Sequence, residues 1–278
     1  QSISGFQLRP HQAEAIENWE NNNYRGIWDI ATAGGKTYTA IMAAEKAPKS
    51  VITIVTVPKK ILQAQWCDDI KEHVPGSQII RVGGNSDPNW ENELQAHITS
   101  RRLLDQTKKD RIAKRVYVVA VEGTATKDRF LNLWSNIDPS DVQFIADEVH
   151  NLGTTGGQKL FKLPCERRIG LSATYVRQWD PVGTQAIENF FGGVVFTYKI
   201  SEGIDDRRLC HYEVHHYDVE FTDTEYNYYH TLTREIGKYI ILAERARRNR
   251  DQQQVEAYRL KQKEKSEERA EIIKTAEN

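Results

Sequence analysis

Two hydrophobic rhythms alternate along the chain. Short runs rich in Val and Ile, apolar on both faces, occur at 26–31, 51–58, 78–82, 116–121, 142–147 and 168–173. A further run, 194–199, follows Gly192-Gly193. Apolar runs of this length read as buried parallel strands. The segments between them, 37–47, 60–73, 89–115, 128–136 and 181–191, read as helices. Strand–helix alternation predicts an α/β fold: a doubly wound, mostly parallel sheet covered on both faces, with ligands at the carboxyl ends of its strands. After residue 208 the rhythm changes. Residues 209–222 alternate polar and apolar, which predicts a half-exposed strand. Thr222-Asp223-Thr224-Glu225 then supplies capping chemistry for a helix. Tyr226, Tyr229, Leu232, Ile236, Tyr239, Ile240 and Ala243 fall on one face at helical spacing. From 244 to 278 the sequence is dominated by Arg, Lys, Glu and Gln, the composition of a solvated helix, a connector or a flexible tail. The predicted organisation is a domain over 1–208 and a helical extension over 209–278.

Composition narrows the class. A length of 278 residues accommodates one large domain or one and a half. With 38 Lys+Arg against 39 Asp+Glu the net charge is −1, which excludes a globally basic nucleic-acid coat but permits a local basic groove. The longest uncharged apolar stretch, 51–57, is too short to span a bilayer. No charged-then-apolar leader opens the chain, so no secretory signal is expected. Cys67, Cys165 and Cys210 are scattered and form no C-x-x-C, which points to a reducing cytoplasm, or a nucleoid or nucleus, rather than a disulfide scaffold or zinc module. The chain begins with Gln1 and contains only Met42, so it reads as a piece of a longer protein.

The sharpest local pattern is Ala31-Thr32-Ala33-Gly34-Gly35-Lys36-Thr37, between a predicted strand and a predicted helix. Small residues there let backbone N–H groups converge on phosphate oxygens, and the helix N-terminus adds positive potential. In this phosphate-loop reading Lys36 contacts the β- and γ-phosphates and Thr37 places its hydroxyl on Mg²⁺. Ile30 stands where the G-x-x-x-x-G-K-[ST] pattern has its first glycine. The complementary half is Phe144-Ile145-Ala146-Asp147-Glu148-Val149-His150, an apolar run that delivers two carboxylates to a strand end. Asp147 is expected to hold Mg²⁺ through water and Glu148 to orient and deprotonate the attacking water.

In these motifs and their order, roughly residues 5 to 200 resemble the first RecA-like domain of a superfamily 2 helicase or translocase. Phe6-Gln7-Leu8-Arg9-Pro10-His11-Gln12 resembles the adenine-reading segment, with Gln12 as reader and Arg9 beside the base. Thr32, Ala33, Gly34, Gly35, Lys36 and Thr37 resemble motif I, where the family has glycine at Ala33. Pro58 through Gln65 and Trp66 resembles motif Ia, and Asp147-Glu148-Val149-His150 resembles a DExH motif II, which makes His150 a catalytic candidate. Ser172-Ala173-Thr174 resembles motif III, which in the family couples nucleotide state to nucleic-acid grip. The surrounding phrases look most like the branch containing the excision-repair helicase and restriction-enzyme motor subunits.

The resemblance implies ATP and Mg²⁺ as cofactors, DNA as partner with RNA left open, and a second RecA-like domain that supplies a trans-acting arginine. No second set of motifs follows residue 200, and Arg168 and Arg177 belong to the same lobe. Pro58, Lys59, Lys60, Gln65, Gly83 and Thr124 would line one nucleic-acid strand, where helix-start N–H groups, lysines and short hydroxyls bind phosphate without reading bases. Residues 101–115 carry seven Lys/Arg against Asp105 and Asp110, which suits either a duplex contact or a solvated face. His211, His215 and His216 offer too few ligands for a metal site. Trp19 and Trp28 are expected in the core. The expected function is the ATP-binding lobe of a nucleic-acid-dependent ATPase. The alternatives are a nucleotide-dependent nucleic-acid-binding switch without hydrolysis of its own, or the motor part of a restriction or defence nuclease.

Overall fold

The computed structural model describes residues 7–47, 52–84, 88–107, 115–177, 180–207, 209–211, 213, 215, 220–249 and 251–276, with the backbone alone for 101–107 and 276. These form two compact units, Gln1–His211 and Tyr212–Asn278.

The first unit is built on seven strands: β1 (Arg25–Ile30), β2 (Ile52–Val57), β3 (Gln78–Val82), β4 (Val116–Val121), β5 (Val142–Ala146), β6 (Arg167–Ser172) and β7 (Val194–Tyr198). Every pairing is parallel, in the order β3-β4-β2-β5-β6-β1-β7. The helices are α1 (Pro10–Asn21), α2 (Lys36–Lys46), α3 (Lys60–His73), α4 (Trp90–Thr107), α5 (Glu122–Ala125), α6 (Asp128–Leu131), α7 (Pro181–Phe191) and α8 (Ile200–Asp205). Both faces of the sheet are covered, which is why the inner strands read as continuous apolar runs, while the edge strands β3 and β7 keep exposed positions. On one face Trp19 of α1, the Ala40–Ala43–Ala44 stripe of α2 and Trp66 of α3 pack on Val55, Val119 and Ile145. On the other, Leu94 and Ile98 of α4, Phe130 of α6 and Phe190 and Phe191 of α7 pack on Ile54, Val118 and Phe144. Trp19 and Trp28 are fully buried, and the Trp19 indole N–H donates to the Arg168 carbonyl at 2.9 Å.

Helix α1 is absent from the periodicity reading. Its signals are short: Pro10 at its first position and Ala15, Ile16 and Trp19 on one face. Residues 128–136 hold one α-helical turn, α6, followed by a 3-10 turn at Asn132–Trp134, which buries Phe130 and Trp134. The helix expected to run to 115 ends within the described residues at Thr107; Lys108, Lys109, Arg111 and Lys114, and the side chains of Arg101 and Arg102, lie outside them. Arg115, at the end of that basic run, is engaged within the fold. Its guanidinium donates to the carbonyls of Ala44 and Ala47 and sits 3.6 Å from Glu45, so it caps the carboxyl end of α2.

The described residues among 209–222 form no strand; 212, 214, 216, 217, 218 and 219 lie outside them. Alternation makes a strand only where a neighbour completes its ladder, and none of the seven strands pairs with this segment. His211 and His215 are exposed, and His215 lies 3.3 Å from Glu213. His216 is outside the described residues.

The second unit contains α9 (Asp223–Arg248) and α10 (Gln252–Ala276). They form an antiparallel hairpin in which Tyr228 meets Glu268, Glu235 meets Lys265 and Tyr239 stacks on Tyr258. The Thr222 hydroxyl and Glu225 carboxylate close a reciprocal cap on α9. Leu232, Ile236 and Ala243 are buried as their spacing predicts, but Tyr226 and Ile240 are exposed. One partner helix covers only a narrow stripe, too narrow for the whole predicted face.

Candidate nucleotide and nucleic-acid site

The candidate residues come together along one rim, the carboxyl edge of the parallel sheet. The chain leaves β1 through the phosphate loop and enters α2 at Lys36. Ala31 N–H donates to the Tyr198 carbonyl at 2.8 Å, and Gly34 N–H to Ala31 at 3.0 Å, so the loop is tied to the neighbouring strand end. Ala33 holds φ +66° and Gly35 φ +82°. Glycine tolerates that conformation; alanine bears strain of about 1 kcal/mol there, which the surrounding loop bonds sustain.

Helix α1 lies against the same loop. The His11 ring is 3.1 Å from the Gly34 carbonyl through Nε2 and stacks on Tyr198 with centroids 4.2 Å apart. Gln12 is buried: its Oε1 accepts the Arg9 N–H at 3.0 Å, and a Cβ on Gly35 would lie 2.5 Å from its Nε2. The amide is therefore packed into the loop with one end already engaged. Beside it, Arg9, Pro10, His11, Glu14, Tyr198 and Asp206 line a cleft of about 470 Å³. A second cleft of about 400 Å³ lies between Thr32 of the loop, Ala173 and Thr174 after β6, and Lys199 and Ser201 after β7. Asp29 lines it too; burial raises its carboxyl above the usual range, while the charges of Lys36 and Lys199 pull the other way.

The acidic pair sits at the end of β5. Asp147 is nearly buried: its N–H donates to Thr56 at 2.9 Å, Oδ2 accepts the Trp66 indole N–H at 2.9 Å, and Oδ1 accepts the Glu148 N–H at 3.0 Å. Glu148 is held at φ +50°, a left-handed conformation costly for a residue with a Cβ and concentrated at functional sites. His150 Nδ1 lies 3.4 Å from Glu148 Oε2 and 3.2 Å from Ser172 Oγ, and that hydroxyl accepts the Thr174 N–H at 3.1 Å. Motifs II and III are thus physically joined. Arg177 reinforces the joint, donating to the His150 carbonyl and, at 2.8 Å, to Asp180, the cap of α7.

The roles of three residues escaped the sequence reading. Trp66 was a motif marker whose bond to Asp147 only the fold reveals. Gln63 is buried and donates to the carbonyls of Val82 and Val119 at 3.1 and 2.8 Å, pinning α3 to two neighbouring strands. Glu122 follows β4, with its Oε1 enclosed and without a hydrogen-bond partner. Burial first, then the charges of Asp147 and Glu148, push its carboxyl up to about 7. Because the folded value lies above the unfolded one, stability is greatest below about pH 4.5 and is lost as pH rises through about 7. Glu122→Gln should therefore melt above the wild type by a margin that grows from pH 5 to pH 8, by about 1–2 kcal/mol after allowance for solvent screening. Parallel melting curves across that range would show that the carboxyl's ionisation costs the fold nothing.

Farther along the rim stand the expected strand-contacting residues. Lys59 and Lys60 are exposed at the start of α3, and Pro58 is half-buried before them. Gly83 has φ +78°, and a Cβ there would come within 2.3 Å of the Thr124 hydroxyl, so the two are neighbours. Gly84 similarly approaches the Lys60 stem. Gln65 is exposed on α3.

A family profile described as the res subunit of type III restriction enzymes matches residues 5–177. The chain is 24% identical over 178 residues to a protein named DNA 3'-5' helicase XPB from Kineococcus radiotolerans, covering 63% of this chain and 27% of that protein. It therefore spans about a quarter of that curated relative's length. The helicase domain of Pyrococcus furiosus Hef matches with a TM-score of 0.53 at 18% identity, over 84% of this chain and 48% of that one. A nuclease-deletion mutant of the type ISP restriction-modification enzyme LlaGI matches with a TM-score of 0.52 at 17% identity, over 73% and 18%. These two structures share the fold, a RecA-like parallel sheet. With the profile spanning the phosphate loop, the acidic pair and motif III, the chain belongs to the family of type III restriction enzyme res subunits.

Proposed function

We propose that this chain is the ATP-binding lobe of a DNA-dependent helicase or translocase, with its first domain over 1–208 and a connecting extension over 209–278. The observation that carries the reading is the shared rim: the loop carrying Lys36, the Asp147–Glu148 pair and the Ser172–Thr174 segment all leave the same edge of one sheet, and His150 bonds the last two together. In this reading Lys36 and the loop N–H groups hold the phosphates, and Glu148 orients the attacking water and takes its proton. His150 and Ser172 pass the change at the γ-phosphate to Thr174. Lys59, Lys60, Gly83 and Thr124 hold the sugar–phosphate backbone of one strand, and the second cleft faces the partner lobe. Gln12 and Arg9 border the base.

The donor set fits Mg²⁺. Asp147 keeps a free lone pair on each oxygen, Thr37 stands in the first turn of α2, and the charges of Asp147 and Glu148 at Glu122 mark an acidic end. Among the described residues no three His, Cys, Asp or Glu gather as a metal cage; an Mg²⁺ ion here would be held largely by phosphate and water. Bound there, Mg²⁺ would neutralise charge on the β- and γ-phosphates. No described helix is long and apolar enough to cross a membrane.

The test is titration of the whole chain with a fluorescent ATP analogue in Mg²⁺. Wild type is expected to bind, and Lys36→Ala to bind about 10–100-fold more weakly, the loss of one charged hydrogen bond. Failure of the wild type to bind, or unchanged affinity in the variant, overturns the assignment.

A further inference from the structure

The helical hairpin segregates its charge. Residues 238–263, the half around the connecting turn, carry eight Lys/Arg against three Asp/Glu. The opposite half, 222–237 with 264–276, carries four against seven. Pairing is segregated too. Lys265 bonds Glu268 at 2.9 Å and lies 3.8 Å from Glu235, Lys274 lies 3.2 Å from Glu271, and Lys263 reaches 3.7 Å toward Glu267. Arg245, Arg247 and Arg248 in the last turn of α9, and Arg259 on α10, are exposed and have no ion pair among the described residues. Cations favour a helix carboxyl end, but three there exceed what one helix dipole uses.

We infer that the turn end of this hairpin is a second nucleic-acid contact, which grips the phosphate backbone of a duplex through Arg245, Arg247 and Arg248. Guanidinium groups match phosphate in bidentate geometry and, being weakly hydrated, surrender water readily. The duplex is favoured over a single strand because the arginine end presents no stacking platform. Tyr239 and Tyr258 are half-buried against each other, with Lys261 over the Tyr239 ring, while exposed Tyr226 and Tyr228 lie in the acidic half. Without aromatic faces a site reads charge density, which is greater on a duplex. The helices hold the arginines on a rigid arm: α9 has 26 residues, about 39 Å of helix. The inference rests on the motor reading only for DNA as the polymer.

The experiment uses the whole chain, with Arg245, Arg247 and Arg248 replaced together by Gln, a good helix former. Lys274→Gln, in the acidic half, is the control, and circular dichroism checks that helix content is kept. Fluorescence anisotropy would follow binding to a labelled duplex of about 20 base pairs and to its single strand, between about 50 and 200 mM salt. The expected result is about 10–100-fold weaker duplex binding by the triple variant, a salt slope reduced by about 2.7, and no change in the control. Unchanged duplex affinity and slope in the triple variant overturn the inference and leave the motor reading standing. An equal loss on the single strand overturns the assignment to a duplex. Absence of any nucleic-acid binding by the wild type overturns both readings.

Discussion

Glu148→Gln is expected to lower steady-state ATP turnover by about 10²–10⁴-fold while leaving ATP binding close to wild type. The amide keeps the size and hydrogen-bonding reach of the side chain but cannot accept the proton of the attacking water. Geometry singles out Glu148 over its neighbour. Both Asp147 oxygens already accept hydrogen bonds, from Trp66 and from the Glu148 N–H, which suits a group that must stay still. Glu148 instead occupies a strained backbone position with its carboxylate 3.4 Å from His150. A conformation that costs energy and recurs at functional sites suits a positioned base. The measurement pairs single-turnover hydrolysis with nucleotide titration. Equal rates in variant and wild type would remove Glu148 from the chemistry; parallel loss of binding would mean that it holds the nucleotide rather than the water.

Adding a second RecA-like lobe to the chain should raise DNA-stimulated ATP hydrolysis by about 10³–10⁵-fold, the contribution of an arginine finger in phosphoryl transfer. The cations nearest motif III are already committed. Arg168 donates to the carbonyls of Phe190 at 2.8 Å and Cys165 at 3.1 Å and lies over the Phe190 ring. Arg177 is divided between His150 and Asp180. Withdrawing either would unpick the α7 side of the lobe. Lys199 differs: it is exposed, borders the cleft beside Thr32 and Thr174, and faces Asp29. The decisive measurement is turnover by residues 1–278 alone, with and without duplex DNA, in wild type and Lys199→Ala. Slow turnover, indifferent to Lys199, supports the missing-lobe account. Fast turnover that collapses in Lys199→Ala would place the catalytic cation within this chain.

The five inner strands were visible as apolar runs because a strand covered on both faces must be largely apolar, while the edge strands β3 and β7 showed through their Val and Ile content despite exposed positions. The phosphate loop and the acidic pair were visible because their chemistry needs particular residue types next to one another in sequence. By itself, then, the sequence determined a parallel α/β sheet, its carboxyl rim as the place for ligands, and the residues of that rim that are adjacent along the chain. What it left open depends on partners distant in sequence. Arg115 looked like part of a basic face until the fold set it against the carbonyls at the end of α2. The run after 208 looked like a strand because alternation records exposure, not whether an edge is free to pair. The last helix carried almost no periodic signal, since Val255 and Ile272 are the only buried residues among those described in α10; its packing comes from partners 19 to 40 residues earlier. Glu122, Trp66 and Gln63 belong to the same class. Their roles arise from enclosure and from bonds across 19 to 81 positions of chain, which only the tertiary structure brings within reach.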